Sequence, residues 1–382
     1  MRMDAAGGPQ GAKTSPPKPS ARVAEPCQAG RRVYNVDAPL QLWRAAIPSY
    51  NLCIVGFGSV ARAFVSLLQR KHTQLERDYG IAFRIAGVAS RRIGWLAARE
   101  GFSVDKLLTG DFSEAHKCDG LEPWLRAAGA EVLFETSSLN AHTGEPAIEH
   151  IRAALESGAH AITANKGPVV HAWRELTELA AQKGRRFLFE STVMDGVPVF
   201  SLFREAMPAI ELRGFRGVLN STTNVILEGL ESGLTFDDSV RKAQELGVAE
   251  SDPTDDIEGV DAAVKVIALA NVLMQGSLRL QDVQRVGIRS LTADKLRAAR
   301  GDGHAWKLVC RAQWRPDGSI EASVRPERLK LFDPLAQVAG TSSVISFETD
   351  VLPELIITEN DPGLETTAYG LLADFVAAVR RA

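Results

Sequence analysis

The chain lacks the features that mark several common protein classes. It has only four cysteines, Cys27, Cys53, Cys118 and Cys310, with no CxxC pair and no His spacing suited to zinc. That argues against a structural metal and fits a reducing compartment. Charge of one sign is missing too: 44 Lys and Arg against 47 Asp and Glu leave a net charge of −3, so no basic field is available for nucleic acid or an anionic membrane. No uninterrupted apolar run reaches the roughly 18 residues of a membrane span; the most apolar stretch, Ala262 to Met274, is broken by Lys265 and Asn271. What remains, 45% apolar and 24% charged residues in a chain of 382, is the make-up of an enzyme with two hydrophobic cores.

The first 45 or so residues combine Pro16, Pro17 and Pro19 with Gly, Ala, Ser and Lys and have almost no large apolar side chains, so a disordered tail is expected. The tail contains Arg and few acids, which leaves organelle targeting open beside a cytoplasmic location; the missing apolar h-region excludes a secretory signal.

Residues 51–55 form a short apolar run that leads into Gly56-Phe57-Gly58-Ser59-Val60-Ala61 and then a helical pattern from Arg62 to Lys71. Strand, glycine turn and helix in that order suit a dinucleotide. Gly56 permits the tight turn, Gly58 lets backbone approach a pyrophosphate, and the helix start offers free N–H groups and a positive dipole end. Such a turn also joins strand to helix with no ligand, so its surroundings matter. A second strand, Phe83 to Ala89, ends at Ser90-Arg91-Arg92, where an NAD-specific protein carries an acid for the ribose 2′-hydroxyl. Arg91 and Arg92 favour a 2′-phosphate, hence NADP with NAD as the alternative, unless they are only a solvated loop. Further strands, Glu131 to Glu135 and His160 to Thr163, run into Thr136-Ser137-Ser138 and Ala164-Asn165-Lys166-Gly167-Pro168. Between them Pro146 to Ser157 has helical spacing, with Gly158 just past its end. Strands alternating with helices imply a parallel sheet with its ligand at the carboxyl edge.

In the second half, Glu250-Ser251-Asp252-Pro253-Thr254-Asp255-Asp256 is a carboxylate-rich loop able to grip an ammonium group. The helical run that follows puts Asp261 and Lys265 one turn apart. On a surface helix that pair is an ordinary ion pair; at the head of an otherwise apolar helix the lysine faces the interior. Arg216 to Asn224 reads as a strand ending in Asn220-Ser221-Thr222-Thr223-Asn224, either a helix cap or a polar substrate shelf. Phe189 to Pro198 contains a Gly-Pro turn that can also present carbonyl oxygens to a cation.

Ala164 to Pro168, Asn220 to Asn224 and Glu250 to Lys265, in that order, resemble homoserine dehydrogenase, and the match runs from about Leu52 to the end. Asp361-Pro362-Gly363, Thr366-Thr367-Ala368 and Leu372 to Phe375 look like the family's closing segment. The resemblance implies an α/β protein: a tail at 1–45, a Rossmann-type nucleotide-binding domain at 46–187, an α+β substrate and dimerisation domain at 188–358, and a C-terminal helix at 359–382 returning to the nucleotide domain. It implies interconversion of L-homoserine and L-aspartate 4-semialdehyde, a step of threonine and methionine biosynthesis, by a homodimer. Lys265 is then the proton donor and acceptor, Asp261 orients it, and Lys166 is the second acid–base candidate. Glu250, with Asp255 or Asp256, binds the substrate's amino group beside Asn220 and Thr222. Gly56, Phe57, Gly58, Ser59, Val60, Arg91, Arg92, Thr136, Ser137 and Lys166 meet the cofactor. A monovalent cation such as Na+ rests on carbonyls of Glu190, Val193, Asp195 and Val197. A lysine with an ordinary pKa near ~10.4 is a weak acid–base catalyst at neutral pH, so burial beside a second lysine is expected to lower it, with Asp261 limiting the shift.

The chain departs from the family pattern at Ala61, at Met194-Asp195 in a turn that is glycine-rich in relatives, at Ser221 and at Val248. These leave two other readings open: an NADP-dependent dehydrogenase of a related amino alcohol, and a non-catalytic NADP-binding relative. With no fused kinase or regulatory segment in the sequence, threonine feedback is not expected.

Overall fold

The apolar runs of the first half lack polar alternation and become strands covered on both faces. In this computed structural model, which describes residues 47–380, the strands are β1 (Ser49–Val55), β2 (Ala82–Ser90), β3 (Gly94–Ala97), β4 (His116–Cys118), β5 (Val132–Glu135), β6 (His160–Thr163) and β7 (Phe187–Leu188). The tail and Cys27 lie outside the described residues. The seven strands join in the order β4-β3-β2-β1-β5-β6-β7, with β2, β1, β5, β6 and β7 parallel. β3 and β4 run antiparallel at one edge, which the alternation of strands and helices did not lead us to expect. The cause is local. Arg91 to Ile93 form a turn and Gly94 takes φ +74°, so the chain folds straight back along β2.

The parallel strands end in register: Val55 is paired with Ala89 on one side and Glu135 on the other, and Glu135 with Thr163. The glycine turn, Ser90 to Arg92, Thr136 to Ser138 and Ala164 to Lys166 therefore leave the sheet along one line. Below that line two cores form. The helix Ser59–Gln74 packs Phe64 and Leu68 on the face of Leu52 and Ile54, while Trp124 and Ala154 cover the face of Cys53 and Val55.

The second sheet takes the order β13-β12-β8-β10-β11-β9 from β8 (Leu212–Val218), β9 (Val283–Arg285), β10 (His304–Trp314), β11 (Ile320–Lys330), β12 (Ser343–Thr349) and β13 (Leu355–Glu359). Beneath it lies the helix Val260–Leu273, buried on nearly every side, as its apolar sequence requires. The closing helix Leu364–Val379 crosses back to the first sheet. Its fully buried Phe375 meets the rings of Tyr50, Phe83 and Phe134 edge-on at 6.1, 6.2 and 6.0 Å.

Beside Phe375, buried Asp374 accepts a hydrogen bond from the Glu190 N–H at 2.7 Å. Burial, and then the Glu190 carboxylate, push its pKa up to about 8. From about pH 4 upward the folded protein keeps a proton that the unfolded chain releases, so this group's stability contribution is complete at low pH and fades as pH rises through its folded value. Asp374→Asn should lack that slope. Urea unfolding midpoints measured from about pH 5 to about 9 should shift steadily in the variant's favour, and a constant difference between the two proteins would contradict the assignment.

Candidate active site

Two lysines approach one carboxylate. Gly259, at φ +75°, opens the helix Val260–Leu273 and sets Asp261 in its first turn, with Lys265 one turn further on. Asp261 Oδ1 lies 3.2 Å from Lys166 Nζ, and its Oδ2 lies 3.5 Å from Lys265 Nζ. Lys166 is the first residue of the helix Lys166–Gln182, which starts just past β6. Lys265 Nζ also donates to Leu219 O at 2.6 Å, just past β8. Asn220 caps the helix Ser221–Glu231 by accepting from Thr223 N, and its amide donates to Asp256 Oδ1 at 2.6 Å and Asp261 Oδ2 at 3.2 Å. One ammonium thus comes from the carboxyl edge of the parallel sheet and the other from the acid's own helix, where it rests against the end of β8.

Burial works to raise the Asp261 carboxyl, but Lys166 and Lys265 outweigh it and hold it well below the usual carboxylate range. For Lys265, burial works to lower the ammonium, yet Asp261, Asp195 and Asp256 outweigh it and the pKa is raised. This reverses the expected direction. Lys166 is engaged on the far oxygen of Asp261, while several carboxylates bear on Lys265. Asp256 itself is pushed up by burial and by the neighbouring Asp261 charge.

Beside the cluster opens a cavity of about 220 Å³, whose lining includes Lys166, Lys265, Asp195, Val60, Thr136 and Ser137. A wider groove of about 750 Å³, between His171 and Arg285, contains none of these groups. Val60, just past the glycine turn, brings the start of its helix to the cavity's edge. Gly56 sits at φ +88°, where a Cβ would stand 2.3 Å from Ser137 N, so only glycine fits. Gly56 and Phe57 donate their N–H groups to Ala89 O, at 2.9 and 3.1 Å. The helix Ser59–Gln74 opens at Gly58 with no side-chain cap. Its first-turn N–H groups are left for an anion, and a Cβ on Gly58 would meet protein only at 3.8 Å, leaving room there for a ligand. This arrangement fits a pyrophosphate.

Residues 56–190 match the description "Homoserine dehydrogenase, NAD binding domain" and residues 198–376 match "Homoserine dehydrogenase". The chain is 36% identical over 335 residues to the NAD(+)-dependent homoserine dehydrogenase of Pseudomonas canavaninivorans, spanning 86% of this chain and 95% of that one. The chain belongs to the homoserine dehydrogenase family. It is also 32% identical to the homoserine dehydrogenase of Methanocaldococcus jannaschii, over 85% of this chain and 97% of that one. A putative homoserine dehydrogenase from Archaeoglobus fulgidus has the same fold, with a TM-score of 0.77 and 30% identity over 87% of this chain and 100% of that one. A hyperthermophilic archaeal homoserine dehydrogenase mutant in complex with NADPH gives 0.73 and 27%, over 87% of this chain and 98% of that one.

Of the residues that the family resemblance pointed to, Lys166, Asp261 and Lys265 converge, Asn220 and Asp256 join them, and Val60, Thr136 and Ser137 line the cavity. Others lie elsewhere. Glu250 and Asp255 are exposed and do not line the cavity; the Gln244 amide holds the Glu250 carbonyl at 3.1 Å, and the short helix Thr254–Ile257 leaves Asp256 as the acid that meets Asn220. Thr222 is buried and donates to Val248 O at 2.6 Å, so it holds the base of the acidic loop instead of facing the cavity. The Phe57 ring is a core group against Phe112, and Ser59 is exposed at the helix start. Arg91 and Arg92 are exposed in the turn beyond Ala89. In the cation turn, Met194 and Asp195 take φ +55° and +50°, the Asp195 carboxylate accepts from the Thr367 hydroxyl, and Val197 O already accepts from Val199 N at 2.8 Å. Val193 and Glu190 are buried, and Glu190 turns its carboxylate to the Phe200 and Ser201 N–H groups. Among the described residues no group of three or more His, Cys, Asp or Glu could hold a metal ion.

Ser343 and Thr367 also line the cavity, and sequence reading gave neither a role. Ser343 is one of several hydroxyl residues in and before its strand and carries no local signal that sets it apart. Asn165 did carry one, an Asn directly before a helix.

Asp261→Asn should leave two ammonium groups facing each other. The three side chains are 19–22% exposed, so the stability loss is expected between the 0–1 kcal/mol of surface pairs and the 3–5 of buried ones, roughly 1–3 kcal/mol. Urea unfolding at neutral pH measures it; a variant as stable as the parent would mean the lysines do not depend on this acid.

Proposed function

We propose that the protein interconverts L-homoserine and L-aspartate 4-semialdehyde by hydride transfer, with NADP as the preferred cofactor and NAD as the alternative. The observation that carries this is the Lys166–Asp261–Lys265 cluster at the mouth of a cavity shared with Val60 and Ser137 of the nucleotide edge. A bound nicotinamide supplies the hydride chemistry. The chain must supply a proton at the substrate oxygen and offset its developing charge. Lys265, held charged, is ready to give that proton when an aldehyde is reduced, and Lys166 adds a second N–H beside the same oxygen. Asp261 keeps both ammonium groups oriented. Asp256 and, with movement of the acidic loop, Glu250 and Asp255 are the candidates for the substrate's amino group; Asn220 holds Asp256 in place, and Thr222 anchors the loop.

For the cofactor, Gly56, Gly58 and the N–H groups of Ser59 and Val60 suit the pyrophosphate. Arg91 and Arg92 follow β2 where no acid stands, which supports a 2′-phosphate; the name of the Pseudomonas relative keeps NAD in view. We also propose a cytoplasmic homodimer. A second reading, a related amino alcohol as substrate, is favoured by Asp195 and Ser221 in the cavity lining, since both differ from the family pattern.

Turnover of homoserine with NADP and with NAD, against other short amino alcohols, tests the reading directly; no oxidation of homoserine with either cofactor would end it. Lys265→Ala should lower kcat by a factor on the order of 100 or more while NADPH still binds. Unchanged turnover would remove Lys265 from the chemistry. Replacing Arg91 and Arg92 together by Ala should raise KM for NADPH more than for NADH, whereas equal effects would reduce them to surface charge.

A further inference from the structure

Glu135 is a charged residue that the proposed reaction does not use, yet it is fully buried at the end of β5 and does not line the cavity. Burying a carboxylate is costly unless hydrogen bonds replace its water. Here protein groups take that place. The acceptor-only carboxylate meets the Ser137 hydroxyl, the Ser137 N–H at 3.2 Å and His150 Nδ1 at 3.4 Å, and it shares the single Thr163 hydroxyl proton, at 3.3 Å, with the Glu135 main-chain carbonyl at 3.1 Å. Ser137 and Thr163 then both hold Asn165. The Asn165 N–H donates to Thr163 Oγ1 at 2.9 Å, its side-chain amide donates to the Ser137 and Ser138 carbonyls at 3.1 and 3.2 Å, and its Oδ1 accepts from Gly167 N at 2.9 Å. Lys166 stands between the two residues so anchored, 3.2 Å from Asp261.

We infer that Glu135 is a positioning residue for Lys166: it fixes Ser137 and Thr163, these fix Asn165, and Asn165 fixes the turn from which Lys166 reaches Asp261. This rests on the reading of Lys166 as part of the reacting site. The glycine turn touches this chain at Ser137 but has a hold of its own, because the Thr136 hydroxyl lies 3.1 and 3.0 Å from Val55 O and Gly56 O. Loss of Glu135 should therefore act on turnover much more than on cofactor binding.

Glu135→Gln keeps the size and sets an N–H donor against donors already in place. Its kcat should fall by between about ten-fold and a hundred-fold, the scale of a misplaced catalytic group, while NADPH affinity read by fluorescence stays within about two-fold and unfolding remains cooperative. The same change made in a Lys166→Ala enzyme should cost almost nothing more, since the group it positions is gone. Multiplying losses in the double variant, or an unimpaired Glu135→Gln enzyme, would overturn the inference alone. A Lys166→Ala enzyme with full turnover would overturn the reading of Lys166, and this inference with it. If Glu135→Gln does not fold, Ser137→Ala and Thr163→Val cut the chain one link later and are judged by the same comparison with Lys166→Ala.

Discussion

A single carboxylate between two ammonium groups sets the geometry on which the rest of the site depends. Lys166 comes from the edge of the parallel sheet, and Lys265 lies against the end of β8 in the second sheet. Two like charges brought to one cavity wall repel each other. Asp261 turns that repulsion into attraction from both sides, so the closeness of the two sheet edges and the charge of the lysines follow from one residue. Asn220 completes the arrangement. Its amide bridges Asp261 to Asp256, which keeps two neighbouring carboxylates apart by a shared donor.

The charge state follows from the same geometry. Lys265 sits among acids and is held protonated, so it is ready to give a proton and reluctant to take one. A positive charge bound in the cavity would oppose those acids and draw the lysine back toward neutrality. A single set of side chains can thus serve both directions of an aldehyde–alcohol exchange.

Much of this was readable in the sequence, for local reasons. The parallel strands are built on short apolar runs, the glycine turn follows the first of them directly, and Asp261 and Lys265 are spaced for one helix face. What the sequence hid is non-local. The β3–β4 edge depends on pairing set by a three-residue turn, with no hydrophobic run long enough to announce it. That Lys166 meets the same acid as Lys265 depends on how two sheets pack. The direction of the Lys265 shift depends on how many carboxylates face it, and a motif does not count neighbours. Glu250 and Asp255 belong to the most specific motif in the chain, yet a loop's composition does not fix where its side chains lie.

The Met194-Asp195 turn joins these levels. Two residues with side chains occupy left-handed backbone that glycine enters without strain, at a cost of order 1–3 kcal/mol each. Packing around the turn opposes that cost. A Cβ on Gly196 would lie 2.4 Å from Thr366 O, and one on Gly370 would lie 2.3 Å from Ser191 Oγ, so the turn and the closing helix fit only because both positions are bare. The Thr367 hydroxyl of that helix then holds the Asp195 carboxylate in the cavity wall, where its charge helps keep Lys265 protonated. The helix that returns to cover the first sheet therefore also bears on the electrostatics of the site, and the Met194-Asp195 turn acts on Lys265 through it.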